Sequence, residues 1–300
     1  MKDVILITGD SGQLARKINL LLSDSYEIRT LTTNKKKTNN KTIFYWDVKN
    51  KFVDLDALKN CKHIIHLAGY SIIKPWTKKN TELMYLSRVE GARLLFNKCN
   101  KLNIKPKTFI TASAMGIYGL ESAGEKNEKS KTGKDWVAQM AIDWEAAADQ
   151  FKKLTSRIVK MRISLLISKN FSLVKYSILS TKFGITPIIG SKHNTINWIH
   201  IDDAAIFIKE SITHKKYQGT FNISTQNPIS QHNFIKIIQK KVCPFALSIQ
   251  IPEFLLKFIL GKRYSIINVK LKLSANKLVN TGFKYKYNKM EEALENIINQ

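Results

Sequence analysis

Apolar positions in the first half of the chain alternate between two rhythms. Short, β-branched runs predict strands at Val4–Thr8, Glu27–Thr32, Ile43–Trp46, Ile64–Ala68, Thr108–Ala112 and Ile158–Ile167. Between them, apolar residues three and four apart predict helices over Leu14–Leu22, Asn80–Lys101 and Trp136–Leu154. The first of these carries Leu14, Ile18, Leu21 and Leu22 on one face. Parallel neighbours need a crossover, so this alternation predicts an α/β fold: a doubly wound parallel sheet with helices on both faces.

The second half is less regular. Gly184, Pro187 and Gly190 interrupt the stretch from about 170 to 197. Strands at Thr195–His200 and Thr220–Ile223 flank a helix at Asp203–Thr213, and further helices are expected at Gln231–Val242, Pro252–Leu260 and Asn288–Asn299. The expected organisation is a sheet domain from residues 1–168, completed by about 195–225. A smaller α-rich cap from 169–194 and 226–300 would cover the carboxyl edge of the sheet and shape a substrate pocket.

Composition narrows the class. Forty-four per cent hydrophobic and 24% charged residues describe a globular protein with a sizeable core. The apolar run Val4–Ile7 is too short for a signal-peptide core, and no stretch approaches the ~18 apolar residues of a membrane span. Three cysteines, Cys61, Cys99 and Cys243, have neither disulfide-framework nor zinc-ligand spacing. The expected location is the cytoplasm, with no membrane partner and a monomer or homodimer as the assembly. The net charge of +26 would suit an anionic partner, but only seven of the 49 basic residues are Arg, and the Lys are spread throughout. A nucleic-acid reader more often clusters Arg with aromatics, so no nucleic-acid partner is expected.

The chemistry begins at Thr8-Gly9-Asp10-Ser11-Gly12-Gln13-Leu14-Ala15, which follows a strand and opens a helix. Gly9 permits the tight turn, Gly12 lets backbone N–H groups approach a pyrophosphate, and Ala15 lets the helix pack closely. The spacing is G-x-x-G-x-x-A. A dinucleotide fold reads the adenosine ribose at the end of its second strand, where an NAD enzyme usually carries Asp or Glu. Here the sequence is Leu31-Thr32-Thr33-Asn34-Lys35-Lys36-Lys37: hydroxyls and lysines that welcome a 2′-phosphate, or else a solvated lysine loop. The expected cofactor is therefore NADP(H) over NAD(H).

Ordered blocks downstream resemble the extended short-chain dehydrogenase/reductase superfamily, in its NAD(P)-dependent epimerase branch with a small C-terminal extension. They are Phe44-Tyr45-Trp46-Asp47, His66-Leu67-Ala68-Gly69, Ser87-Arg88-Val89, Thr111 to Gly119, Asp143-Trp144-Glu145, Trp198 to Asp203, and Gly282-Phe283-Lys284-Tyr285. The resemblance implies a Rossmann-type fold and cofactor contacts at Thr8, Gly9, Gly12, Gln13, Leu14, Thr32, Thr33, Lys35 and Asp47. It implies further contacts at Leu67, Ala68, Gly69, Arg88 and Leu166, with Asp47 near the adenine.

One departure bears on function. The superfamily normally carries Tyr-x-x-x-Lys on the helix after the fifth strand, the Lys lowering the Tyr pKa for proton exchange. Those positions fall on Val137 and Ala141, and neither transfers a proton. Three residues are the remaining candidates. Ser113 either bonds a substrate carbonyl or caps its strand. Tyr118 lies near the same strand end, where an aromatic more often packs over the core. His200 titrates in a useful range or is a hydrogen-bonded structural residue. Arg162, Asp202 and Asp203 either serve the site or form a structural ion pair under the cleft. The function implied is an oxidoreductase or nucleotide-sugar-epimerase-like enzyme on a small carbonyl or hydroxyl substrate; the alternative is a cofactor-binding redox sensor or regulator without turnover. A third, weaker reading is a nucleic-acid or membrane-surface binder driven by net charge.

Overall fold

A computed structural model describes residues 2–155 and 157–299. In chain order the first half holds β1 (Val4–Thr8), α1 (Gln13–Leu22), β2 (Glu27–Thr32), β3 (Ile43–Asp47), β4 (Phe52–Val53), β5 (Cys61–His66), α2 (Lys78–Tyr85), α3 (Gly91–Lys101), β6 (Thr108–Ala114), β7 (Ala123–Lys126), α4 (Trp136–Asp149) and β8 (Ile158–Ile163). The second half continues with β9 (Leu165–Ile167), α5 (Ser172–Lys182), β10 (Ile185–Ile188), β11 (Thr195–Ile196), β12 (Trp198–His200), α6 (Ile201–Thr213) and β13 (Gly219–Ile223). It closes with β14 (Ile229–Ser230), α7 (Gln231–Val242), β15 (Leu247–Gln250), α8 (Glu253–Leu260), α9 (Tyr264–Ile267), β16 (Lys270–Leu273), α10 (Asn276–Asn280) and α11 (Met290–Ile298).

Eight strands form one sheet in the order β13-β8-β6-β5-β1-β2-β3-β4. Strand β1 lies parallel between β2 and β5, and all five of its residues are buried, as a strand covered on both faces requires. From β1 the chain steps outward to β2 and β3, then returns to β5 on the other side and continues to β6 and β8. Right-handed crossovers in opposite directions place helices on opposite faces, which is the Rossmann arrangement. Contact density divides the chain into two compact units. The first is Met1–Ile117, Gln139–Arg162 and Ala205–Phe221; the second is Tyr118–Ala138, Ile163–Ala204 and Asn222–Gln300. The second unit is rich in helix but also holds the strand pairs β10–β15, β11–β14, β9–β12 and β7–β16.

Several expected elements differ in their bounds, and four of the differences have a local reason. Strand β5 ends at His66 rather than Ala68, because the Thr8 hydroxyl takes the next two backbone N–H groups. The expected strand Ile158–Ile167 divides at Ser164: the N–H of Ser164 bonds Ile223 O, and that of Leu165 turns to Asn197 O. Asn197 likewise divides the strand expected at Thr195–His200, its side-chain amide bonding the backbone of Leu271 and Leu273. The helix expected over Asn80–Lys101 is α2 and α3 joined through a π turn at Leu86–Glu90. Arg162, Asp202 and Asp203, the candidates for a structural ion pair, each have partners of their own. Arg162 pairs with Glu145 at 2.8 Å, Asp202 pairs with Lys286 at 2.9 Å, and Asp203 accepts the backbone N–H groups of Lys286 and Tyr287.

Arg157 fixes the far end of the sheet. Its guanidinium donates to the Ser211, Ile212 and His214 carbonyls at the end of α6, and to the Thr108 hydroxyl of β6. A cation there satisfies carbonyls the helix leaves open and opposes its dipole. Arg157→Met keeps the stem and removes the donors, so a loss of about 2–3 kcal/mol is expected. Urea unfolding followed by circular dichroism measures it, and a loss under about 0.5 kcal/mol would show that water replaces these bonds freely.

Candidate cofactor-binding site

The site grows from the point where the chain's direction across the sheet reverses, between β1 and β5. Gly9 follows β1 at φ +81°, a left-handed conformation that side chains resist, and a Cβ there would lie 3.0 Å from the Leu67 carbonyl group. The Gly12 N–H closes the turn on Gly9 O at 2.8 Å, and α1 begins at once. No side chain caps α1 and no acidic residue stands in its first turn, so its N-terminal field is available to an anion.

The facing wall is the segment Leu67–Tyr70 beyond β5, and side chains hold it in place. The Thr8 Oγ1 accepts the N–H groups of Leu67 and Ala68 at 3.1 and 3.0 Å and meets His66 Nδ1 at 2.9 Å. His66 Nε2 lies 2.9 Å from Arg88 O in the π turn. A carbonyl only accepts, so Nε2 carries the proton and Nδ1 accepts the Thr8 hydroxyl. Both ring nitrogens and the hydroxyl are thereby satisfied. Burial pushes the His66 ring down to about 4, which keeps it neutral. Ser87 Oγ accepts the Tyr70 N–H at 2.8 Å, and the Arg88 guanidinium donates to the Tyr70 and Met84 carbonyls. A Cβ on Gly69 would meet that guanidinium at 3.0 Å, so glycine lets the two pack together.

These parts enclose a cleft of about 520 Å³. Of the residues anticipated from sequence, Gly9, Gly12, Thr33, Asp47, Leu67, Ala68 and Gly69 line it. Asp47 accepts from the Asn50 side chain and N–H and from the Tyr45 hydroxyl, which holds its carboxylate below the usual range. Thr8 and Arg88 act behind the lining, through the loop they hold. Leu14 is buried beneath α1 and Gln13 is exposed on it. Thr32 is buried, its hydroxyl accepting the Asn34 N–H at 3.3 Å. Lys35 opens a short helical turn, Lys35–Lys37, with its ammonium 4.9 Å from the Tyr45 ring centre. Leu166 belongs to the second unit, in β9 opposite Ile199. Sequence reasoning missed Trp46, Lys49, Tyr70, Leu83, Leu86 and Ser87, which also line the cleft. Leu83, Leu86 and Ser87 recur at one-face helical spacing, a signal present in the sequence but silent about which surface the face meets.

The candidate proton-handling residues are all engaged. Ser113, buried at the end of β6, donates its hydroxyl to Glu145 Oε1 at 2.8 Å, and Arg162 grips both oxygens of that carboxylate. A serine has one proton to give, and this one is given to Glu145. Tyr118 is buried and donates to Asn222 Oδ1 at 2.6 Å. His200 is buried, its Nδ1 accepting the Asp202 N–H, with the ring 4.2 Å from that of Tyr287. Val137 and Ala141 are both buried.

The reversal point, strand order and glycine turn define a Rossmann-type α/β protein. Over residues 5–224 the chain matches the NAD dependent epimerase/dehydratase family, and it belongs to that family. An epimerase family protein of Staphylococcus epidermidis is 29% identical over 304 residues, covering 98% of each chain. Among solved structures, human epimerase family protein SDR39U1 with NADPH superposes with a TM-score of 0.84 at 20% identity, covering 99% of each chain. The Bacillus cereus UDP-glucuronic acid 4-epimerase in complex with UDP-glucuronic acid and NAD gives 0.77 at 17% identity, covering 97% of this chain and 96% of that one.

Thr8→Val keeps the shape of the side chain and strands two backbone N–H groups and a ring nitrogen. A loss of about 2–4 kcal/mol in urea unfolding is expected, with Thr8→Ser retaining most of the stability. Acid should act on the same region. His63 and His66 are each pushed down to about 4 by burial, whereas a free imidazole titrates at 6.5. Between those values the unfolded chain binds more protons, so stability falls as pH drops from 6.5 towards 4, by roughly 1–3 kcal/mol per histidine. His63→Gln should flatten that slope; an unchanged slope would place the acid sensitivity elsewhere.

Proposed function

We propose that this protein binds a nicotinamide dinucleotide, NADP(H) in preference to NAD(H), along the cleft over β1 and β5. It would act as an oxidoreductase or nucleotide-sugar-epimerase-like enzyme on a small carbonyl or hydroxyl substrate. The observation that carries the reading is the cleft at the sheet's reversal point, where Gly9 brings backbone against backbone and α1 opens without a side-chain cap. The residues fit such a group. The first turn of α1 would hold the pyrophosphate, Asp47 the adenosine end, and the strapped segment Leu67–Tyr70 the opposite wall. Bound nicotinamide supplies hydride exchange with a substrate carbon. The preference for NADP(H) rests on the end of β2, where Thr33 lines the cleft, no carboxylate stands, and Lys35–Lys37 follow. The NADPH named with the human relative's structure agrees with it, while the Bacillus cereus epimerase is described with NAD.

A second reading, a cofactor-binding regulator without turnover, draws on one observation. Val137 and Ala141 stand where the proton-exchanging pair belongs, and the Ser113 proton is given to Glu145. Fluorescence titration with NADPH and NADH tests the shared premise, and saturable binding of neither would sink both readings. The triple substitution of Lys35, Lys36 and Lys37 by Ala should weaken NADPH about tenfold or more and leave NADH nearly unchanged. Equal losses would move the 2′-phosphate reader elsewhere. Consumption of bound NADPH on a carbonyl panel separates enzyme from regulator.

A further inference from the structure

The second unit carries an apolar surface that faces solvent. Strand β10 pairs in parallel with β15, Ile185 opposite Leu247 and Pro187 opposite Ile249. Partners across a parallel ladder point the same way, so these four share one face, while Thr186 and Ile188 point to the other. The latter two are buried, Thr186 bonding Thr181 of α5. The former face is open: Ile185, Leu247 and Ile249 are all exposed. Just before the two strands stand Phe183 and Phe245, which are 80% and 92% exposed. The Leu247 N–H bonds Gly184 O at 2.8 Å and ties the beginnings of the two strands together.

Helix α8 follows β15 after two residues and repeats the pattern. Phe254, Leu255, Phe258 and Ile259 fall on one side of it and are exposed, Phe258 by 86%, while Leu256 is buried. A helix normally turns such a stripe inward. Exposed apolar faces on two elements joined by only two residues mark an interaction site.

Charge selects the occupant. Between residues 150 and 290 the only acidic residues are Asp202, Asp203, Glu210 and Glu253. Asp202 and Asp203 are buried, and Glu253 is paired with Lys257 at 2.8 Å. The elements bearing the patch, and the segments joined to them, bring Lys182, Lys240, Lys262 and Arg263, while Lys241 is paired with Glu295 of α11 at 2.7 Å. A second copy of a chain with net charge +26 would bring two basic rims together, which like-charge repulsion opposes. An anionic lipid surface neutralises the rim and offers an apolar layer at the same depth.

We infer that β10, β15 and α8 form a docking surface for an anionic phospholipid bilayer, with the exposed phenylalanines entering the interface and the lysines meeting headgroups. The attachment is peripheral, since no described helix is long and apolar enough to cross a membrane. It amends the expectation of no membrane partner, which rested on the absence of a spanning segment and on the even spread of lysines, and takes up the weaker membrane-surface reading. It stands apart from the proposed cofactor cleft and does not depend on it.

The test is co-sedimentation of the full-length protein with phosphatidylcholine vesicles, with and without phosphatidylglycerol. Binding should require phosphatidylglycerol and weaken as salt rises. The double variant Phe254→Ser/Phe258→Ser should bind at least about tenfold more weakly at unchanged far-ultraviolet dichroism and melting temperature. Phe245→Ser, outside the helix, should weaken binding too. Failure to bind anionic vesicles, or full binding by all these variants, overturns the proposal. A dimer in sedimentation equilibrium that the same substitutions dissociate, without vesicle binding, would assign the face to a second copy instead.

Discussion

The Thr8 hydroxyl is the point on which the cleft depends. It lies at the last residue of the central strand, accepts two N–H groups from the segment leaving β5, and gives its own proton to His66. His66 in turn donates to a carbonyl in the π turn beyond α2. Three elements distant in sequence are thus joined by a buried series of hydrogen bonds in which every donor meets one acceptor. Such a series specifies one arrangement, because reversing any member strands another in a low-dielectric interior. The neutral state of His66 is part of that logic: a protonated ring would offer a second donor to a hydroxyl with no lone pair to spare.

Much of the sheet was legible because it is locally determined. Strand β1 is four apolar residues and a threonine before a glycine turn, and the matching of β2 and α7 to their expected bounds follows from the same clarity of period. What escaped was set by side chains reaching across the fold. Ser164 and Asn197 read as ordinary strand residues, yet their bonds to Ile223, Leu271 and Leu273 divide the strands they belong to. The π turn at Leu86–Glu90 leaves no mark on hydrophobic spacing over so short a span. In the cleft, the glycines and Asp47 announced themselves through residue type, whereas Leu83 and Leu86 carry no chemistry until the fold supplies a neighbour.

The catalytic question turns on proton inventory. Val137 and Ala141 remove the usual exchange pair, and burial of both leaves no room there for a replacement without repacking. Ser113 remains beside that helix, but Glu145 accepts its proton and Arg162 fixes Glu145. The serine can accept a hydrogen bond and not donate one while that arrangement holds. Turnover at this position would require Glu145 to release the serine proton, which the bidentate arginine opposes by stabilising the carboxylate as an acceptor.

Arg162 and Arg88 of the sheet unit make an instructive contrast. Arg162 is paired with the Glu145 carboxylate at 2.8 Å. Arg88 is half-buried and leans over the Trp144 ring at 5.5 Å. Its hydrogen bonds go to the Tyr70 and Met84 carbonyls, and among the described residues no carboxylate pairs with it. Burial pulls its guanidinium down to about 10, still well above neutrality, so the charge persists. Dipoles of carbonyls offset part of the desolvation cost of such a charge; a nearby anion would offset more. This cation without a carboxylate partner holds the wall of the cleft, opposite a helix N-terminus that no side chain caps. Both features favour an anionic group at that end of the cleft.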